Sequence, residues 1–144
     1  MRLVLDASVL VADLLRASGR ARLGEERLEL FIAEQTAQEV EHELPRRLAK
    51  LARDRGLDEA LMLRLAADCR AAIDTNLIRV PEAAYLPLKE EARWRSARDP
   101  NDWPVVAVTL AVGGAIWTND NDFLGTGVAT WTTETVRALL ARES

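Results

Sequence analysis

The sequence predicts an α/β fold, a three-layer sandwich in which helices flank a central parallel sheet of four to five strands. Short apolar segments rich in strand-forming residues alternate with longer helical patterns along the chain, as in βαβ architectures. The chain has 144 residues, of which 49% are hydrophobic and 29% charged, enough to bury a core without disulfides. Because no linker or internal repeat interrupts the pattern, we expect one domain over residues 1–144.

Five segments match the pattern of short buried strands, each apolar and bounded by polar or turn-forming residues. The third is stopped by Pro81, and the fourth is followed by the acidic run Asn119-Asp120-Asn121-Asp122. The expected strands are residues 2–5, 28–33, 77–80, 115–118 and 128–131.

The helices of the first half are predicted from apolar spacing and capping residues. A helix over residues 9–15 is expected to end at Ser18-Gly19-Arg20. Thr36 and Glu39 have the spacing of a capping box, which predicts a helix that begins at Thr36 with Glu39 in its first turn. Pro45 is expected to kink or restart that helix.

The second half continues the alternation of helices and strands. Asp58 is expected to cap a helix, and residues 82–96 are expected to be mostly helical, weakened by Pro87. A strong helix over residues 103–112 ends at Gly113-Gly114 in the manner of a C-cap. Thr133 is expected to cap a last short helix that reaches residue 141.

Composition excludes several kinds of chemistry. Cys69 and His42 are the single cysteine and the single histidine of the chain, so neither a disulfide framework nor a multi-cysteine or histidine-rich metal site is available. The net charge of −4 argues against coating of nucleic acid by bulk charge. No targeting or membrane-spanning segment is recognised, so we expect a cytoplasmic protein.

Acidic residues fall where a parallel sheet binds ligands, outside the carboxyl ends of its strands. They are expected to converge at one rim of the sheet, although each one could also serve as a helix cap or turn residue. The converging residues are Asp6, Glu39, Asp102, Asp120 and, less directly, Asp122.

Carboxylates this close repel one another unless a cation lies among them. An oxygen-only ligand set selects a hard ion such as Mg²⁺ or Mn²⁺. One or two such ions suit hydrolysis of a phosphodiester bond, because the metal activates water and neutralises the phosphate.

Several segments resemble the PIN domain family. They are Leu-Val-Leu-Asp-Ala-Ser-Val-Leu at residues 3–10, the Thr36–Glu39 helix start, Arg-Asp-Pro-Asn-Asp-Trp-Pro-Val-Val-Ala at 98–107 and Ile-Trp-Thr-Asn-Asp-Asn-Asp-Phe at 116–123. The last two, in this order and spacing, are the specific part of the resemblance, which covers nearly the whole chain.

The resemblance implies a five-stranded parallel sheet and a metal-dependent endoribonuclease that hydrolyses RNA by metal-activated water. Its implied carboxylate positions are Asp6, Glu39, Asp102 and Asp120, with Asp122 as an added ligand. Ser8 and Thr118 match hydroxyl positions that support those carboxylates. Small proteins of this family resemble VapC-type toxins, which implies a cognate antitoxin protein and a homodimer.

Two ligand positions have a competitor. Glu43 lies one helical turn after Glu39 on the same face, and we favour Glu39 because it is nearer the rim. Asp99 competes with Asp102, and we favour Asp102 because it directly precedes a helix, whereas Asp99 is assigned to the turn.

Basic residues offer two possible surfaces for RNA phosphates. A solvated helix with alternating charges is the simpler explanation of the first, and the same alternative applies to the second. The first consists of Arg46, Arg47, Lys50 and Arg53, and the second of Arg93, Arg95 and Arg98.

Two other functions fit an acidic pocket at the end of a parallel sheet. A receiver-like signalling domain would need an Asp after the third strand and a late Lys, but Val80-Pro81 ends that strand and no Lys follows Lys89. The other is a catalytically inactive PIN-like interaction module, which should bind no Mn²⁺ through these carboxylates.

Overall fold

A computed structural model describes residues 1–142. The last two residues of the predicted domain, 143 and 144, lie outside the described residues. Five parallel strands form one sheet in the order β3-β2-β1-β4-β5. The strands are β1 (Arg2–Leu5), β2 (Glu29–Ala33), β3 (Leu77–Val80), β4 (Ala115–Trp117) and β5 (Thr130–Trp131).

Helices cover both faces of this sheet, so the predicted three-layer α/β sandwich is confirmed. Short 3-10 turns follow α5 and precede α7, and another follows β4. The helices are α1 (Ala7–Leu14), α2 (Ala17–Leu23), α3 (Glu34–Arg55), α4 (Glu59–Asn76), α5 (Glu82–Tyr85), α6 (Lys89–Arg95), α7 (Trp103–Val112) and α8 (Thr133–Arg142).

Alternation of side chains along the strands builds two cores, one on each face of the sheet. Leu3 and Leu5 of β1 belong to the core under α1 to α4 and α8. Val4, between them, belongs to the core under α5 to α7. Because β1 is central and both its faces are covered, it carries apolar residues at successive positions instead of alternating with polar ones.

The order of the strands places a switch point beside β1. The chain adds β2 and β3 on one side of β1 and then returns to add β4 and β5 on the other side. In such sheets ligands bind in the crevice outside the carboxyl ends of the strands where the direction of winding reverses. Here that crevice lies beyond β1 and β4.

Several predicted helix boundaries were wrong. Residues 18–20 do not end the first helix but lie inside α2. Gly19 is needed for packing, since a Cβ atom there would overlap the backbone of Asp13. The capping box at Thr36 does not form, because α3 begins directly after β2 at Glu34 and Thr36 is buried. Glu39 therefore lies in the second turn of α3.

Two more corrections concern Pro45 and Thr133. Pro45 lies within α3 without ending or restarting it. It is exposed, so water can satisfy the carbonyl group that loses its intrahelical partner. The last helix is capped one residue earlier than expected, since the Thr132 hydroxyl accepts a hydrogen bond from the Thr135 amide at 3.1 Å.

A groove of about 670 Å³ lies between α3 and α4, away from the acidic rim. Its floor is apolar and includes Ile32, Val40 and Leu48. On α4, Leu63 is exposed at the edge of this groove. Among residues 1–142, no helix is both long enough and apolar enough to cross a membrane.

Candidate metal centre

Asp6 stands at the switch point, directly after β1. Its backbone amide donates to the Trp117 carbonyl oxygen at 3.1 Å, which extends the pairing of β1 with β4 by one residue. Its Oδ2 accepts hydrogen bonds from the Ser8 hydroxyl at 3.1 Å and the Thr118 hydroxyl at 2.9 Å. These two hydroxyl donors therefore hold the Asp6 carboxylate in one orientation at the end of β1.

Thr118 connects Asp6 to the acidic segment after β4. It is 2% exposed, and its hydroxyl oxygen accepts from the Asp120 amide at 3.0 Å. Asp120 in turn begins a 3-10 turn, because its Oδ1 accepts from the Asp122 amide at 2.9 Å. One buried hydroxyl thus fixes the path of the chain that carries Asp120 and Asp122.

Three carboxylates form the tightest acidic group within residues 1–142. Asp99, Asp102 and Asp122 each offer one oxygen, and these oxygens all lie within 4.8 Å of one another. Asp99 also stabilises its turn, since its Oδ1 accepts from the Asn101 amide at 3.1 Å. The residue assigned to the turn alone therefore also contributes a carboxylate to this group.

Asp102 is the electrostatic centre of the site. Burial, followed by the negative charges of Asp99, Asp6, Asp120 and Asp122, raises its pKa from 3.8 to about 7. Its side chain makes no capping hydrogen bond to α7, and it accepts none from elsewhere in residues 1–142. Asp102 is thus a half-buried carboxylate that faces four others and has no cation or donor of its own.

The structure links Asp6 and Glu39 to this group less tightly. Burial raises the pKa of Asp6 and outweighs its hydrogen bonds, and the charge of Asp120 adds to the rise. Partial desolvation and the charge of Asp6 raise the pKa of Glu39, although much of its side chain is exposed. These two residues, together with Asp120, lie outside the three-carboxylate group of Asp99, Asp102 and Asp122.

The interaction between Glu39 and Asp6 bears on the choice between Glu39 and Glu43. Glu43 lies one turn further along α3 and is half-buried. The electrostatic contact with Asp6 involves Glu39, which favours Glu39 as the residue of α3 that faces the rim.

The first basic surface runs away from the site. Its four residues follow Glu39 by 7 to 14 positions on α3, which places them roughly 10–21 Å further along the helix. Lys50 is already paired with Asp54 at 3.0 Å. In the second surface, by contrast, Arg98 donates to the carbonyl oxygen of Asn121, beside the acidic group, at 2.9 Å.

Sequence reasoning missed the buried pair of Asp13 and Arg22. Asp13 is 5% exposed, and Arg22 Nη1 lies 2.8 Å from both of its carboxylate oxygens. Burial, which outweighs the contact with Arg22, raises the pKa of Asp13. The signal lay in an acidic residue on the apolar stripe of α1, where an Asp needs a partner. This pair stabilises the corner between α1 and α2 and is not part of the acidic rim.

The donor set fits a divalent cation. All of its ligand atoms are carboxylate oxygens, which prefer hard ions. Such an ion would neutralise the mutually repelling carboxylates of Asp99, Asp102 and Asp122.

A parallel sheet in this strand order, with carboxylates at its switch point, defines an α/β protein with an acidic rim. The chain belongs to the PIN domain family, whose model matches residues 4–141. PIN domains are generally nucleases, and they use divalent metals.

Solved structures with a similar fold include that of PAE2754 from Pyrobaculum aerophilum. The two superpose with a TM-score of 0.67 at 19% sequence identity, covering 99% of this chain and 90% of that one. At this identity the likeness concerns the fold alone. Among curated proteins, no sequence matches this chain.

Proposed function

We propose that this protein is an endoribonuclease that depends on Mg²⁺ or Mn²⁺ and hydrolyses RNA phosphodiester bonds. The observation that carries the proposal is the group of Asp99, Asp102 and Asp122, whose oxygens lie within 4.8 Å of one another, beside Asp6 at the switch point. Asp102 and Asp122 would hold the ion together with Asp99, Asp6 and Asp120. Glu39 would complete the rim from α3.

A divalent cation at this site supplies Lewis acidity, which activates water and neutralises the phosphate. The residues of the chain hold the carboxylate ligands in position. Ser8 and Thr118 keep the carboxylate of Asp6 in one orientation. The turn capped by Asp120 presents Asp122 to Asp102. No serine, cysteine or histidine of the chain is needed as a nucleophile.

Cleavage of a single-stranded RNA by the purified protein tests this proposal. We expect cleavage with Mg²⁺ or Mn²⁺, loss of cleavage with EDTA and loss of cleavage in Asp6→Asn. Asp68→Asn, which alters an exposed carboxylate on α4, is the matched control and should cleave normally. A purified Asp6→Asn variant as active as the wild type would contradict the proposal.

The inactive interaction module is distinguished by metal binding alone. Such a module would retain the fold but would show no carboxylate-dependent binding of Mn²⁺. Mn²⁺ binding that Asp102→Asn abolishes therefore favours the nuclease even before an RNA target is known.

We further propose that the protein is the toxin of a toxin–antitoxin pair and forms a homodimer. The family resemblance supports both, and the apolar groove between α3 and α4 supplies a surface that a cognate antitoxin would cover. A neighbouring gene that encodes a small DNA-binding protein would support the toxin role if that protein inhibits cleavage when the two proteins are mixed. Sedimentation of the protein alone tests the dimer: a monomer at micromolar concentration would contradict it.

A further inference from the structure

The acidic group is built from two segments that are far apart in the chain. Asp99 and Asp102 come from the turn before α7, whereas Asp122 comes from the turn after β4. Their carboxylate oxygens lie within 4.8 Å of one another, and ionised carboxylates this close repel one another. Contacts outside the carboxylates must therefore hold the two segments together before a cation is bound.

Two arginines make such contacts from the α6 side. Arg98, next to Asp99, donates from Nη1 to the carbonyl oxygen of Asn121 at 2.9 Å. Arg95 donates from Nη1 to the carbonyl oxygen of Thr126 at 3.0 Å. Both acceptors belong to the segment after β4, so Arg98 joins the chain beside Asp99 to this segment, and Arg95 joins α6 to it.

Arg95 is held more firmly than Arg98. Its Nε also donates to Glu91 at 3.0 Å, and its side chain is 29% exposed. Gly127 makes room for it, because a Cβ atom there would overlap Arg95 Nη1. Arg95 thus anchors the far end of the segment after β4, and Arg98, which is exposed, sets its near end beside Asp122.

We propose that Arg98 is a positioning residue that holds the turn carrying Asp122 at metal-binding distance from Asp99 and Asp102. This inference rests on the proposed metal site. It gives Arg98 a role that its charge alone does not predict. A cation beside the site repels a divalent metal, so loss of the charge by itself would tighten metal binding. Loss of the hydrogen bond from Arg98 to the Asn121 carbonyl oxygen would instead weaken metal binding.

Mn²⁺ affinity, measured by electron paramagnetic resonance on the full chain, separates these effects by sign. We expect Arg98→Ala to bind Mn²⁺ about tenfold more weakly than the wild type, the size typical of residues that orient metal ligands. Arg98→Lys keeps the positive charge and a hydrogen-bond donor, so its Mn²⁺ affinity should lie between those of the wild type and Arg98→Ala. Arg93→Ala is the matched control, since Arg93 is an exposed residue of α6 whose side chain makes no ion pair or hydrogen bond within residues 1–142, and this variant should bind Mn²⁺ as the wild type does.

Arg98→Gln provides a second variant if Arg98→Ala does not fold, because its shorter side chain cannot reach the Asn121 oxygen and should weaken binding similarly. Wild-type affinity or tighter binding in the folded Arg98 variants would overturn the positioning role while leaving the metal site intact. Failure of the wild type to bind Mn²⁺ would instead overturn the proposed metal site itself.

Discussion

The Thr118 hydroxyl donates to Asp6 Oδ2 at 2.9 Å and joins two residues that lie 112 positions apart in the chain. The same hydroxyl oxygen accepts from the Asp120 amide. A single buried side chain therefore ties the end of β1 to the acidic segment that follows β4. This relationship couples the fold of the sheet to the geometry of the site.

Thr118→Val should reduce RNA cleavage by about tenfold to a hundredfold, because Asp6 loses its buried donor and the Asp120 amide loses its acceptor. Ser8→Ala is the matched comparison, since it removes the other donor to Asp6 from an exposed position where water can replace it. Cleavage rates at saturating Mn²⁺ give the comparison. Equal losses in the two variants would contradict a special role for the buried hydroxyl.

Asp102→Asn should have opposite effects on activity and on stability. It should abolish cleavage, yet it should raise the free energy of unfolding of the metal-free protein at pH 7, because it removes a carboxylate that four others repel. Asp68→Asn should change neither quantity. Chemical denaturation in EDTA and an RNA cleavage assay measure the two effects, and a destabilised Asp102→Asn protein would contradict this interpretation.

The same carboxylate sets a pH dependence in the absence of metal. Its pKa rises from 3.8 to about 7 on folding, so between these values the folded state binds the proton and the unfolded state does not. The contribution of Asp102 to the free energy of unfolding should therefore fall as pH increases from about 4 to 7 and stay constant above that. Urea unfolding in EDTA across this range should show this fall in the wild type and a shallower one in Asp102→Asn.

Gly127→Ala and Gly125→Ala form a matched pair of stability variants. Both glycines have positive φ, 81° and 88°, so alanine should cost about 1–2 kcal/mol at either position. A Cβ at residue 125 meets no atom within 4 Å, whereas one at residue 127 displaces Arg95. Gly127→Ala should therefore be the less stable in thermal unfolding; equal melting temperatures would show that Arg95 moves aside freely.

Arg22→Met should destabilise the protein by about 3–5 kcal/mol, because it leaves the carboxylate of Asp13 buried without its partner. Lys50→Met breaks an ion pair whose side chains are 66% and 59% exposed, and it should cost less than about 1 kcal/mol. Urea denaturation compares the two, and a loss below 1 kcal/mol in Arg22→Met would show that water reaches Asp13.

The sequence predicted the fold well because buried parallel strands have a strong local signal. The bounds of β1, β3 and α7 agree with the prediction, since apolar runs between clear breakers define them. Helix boundaries that depend on packing were harder to predict from the sequence. Gly19 looked like a helix end but serves a close contact between α1 and α2, and the start of α3 follows from the end of β2.

The acidic rim could be predicted in outline, because the carboxyl ends of parallel strands meet at one edge. The close group of three could not, because it depends on how the turn before α7 folds against the turn after β4. The bridge from Arg98 to Asn121 likewise ends on a backbone oxygen. A backbone acceptor leaves no pattern of residue types in a sequence.

Anomalous diffraction from crystals soaked in Mn²⁺ tests most directly whether distant carboxylates are gathered into one cation site. We predict a manganese peak about 2.0–2.2 Å from carboxylate oxygens, with ligands from the turn before α7 and from the segment after β4. Absence of ordered manganese at this rim under saturating Mn²⁺, or an ion bound by one of the two segments alone, would contradict the claim that distant carboxylates form one cation site.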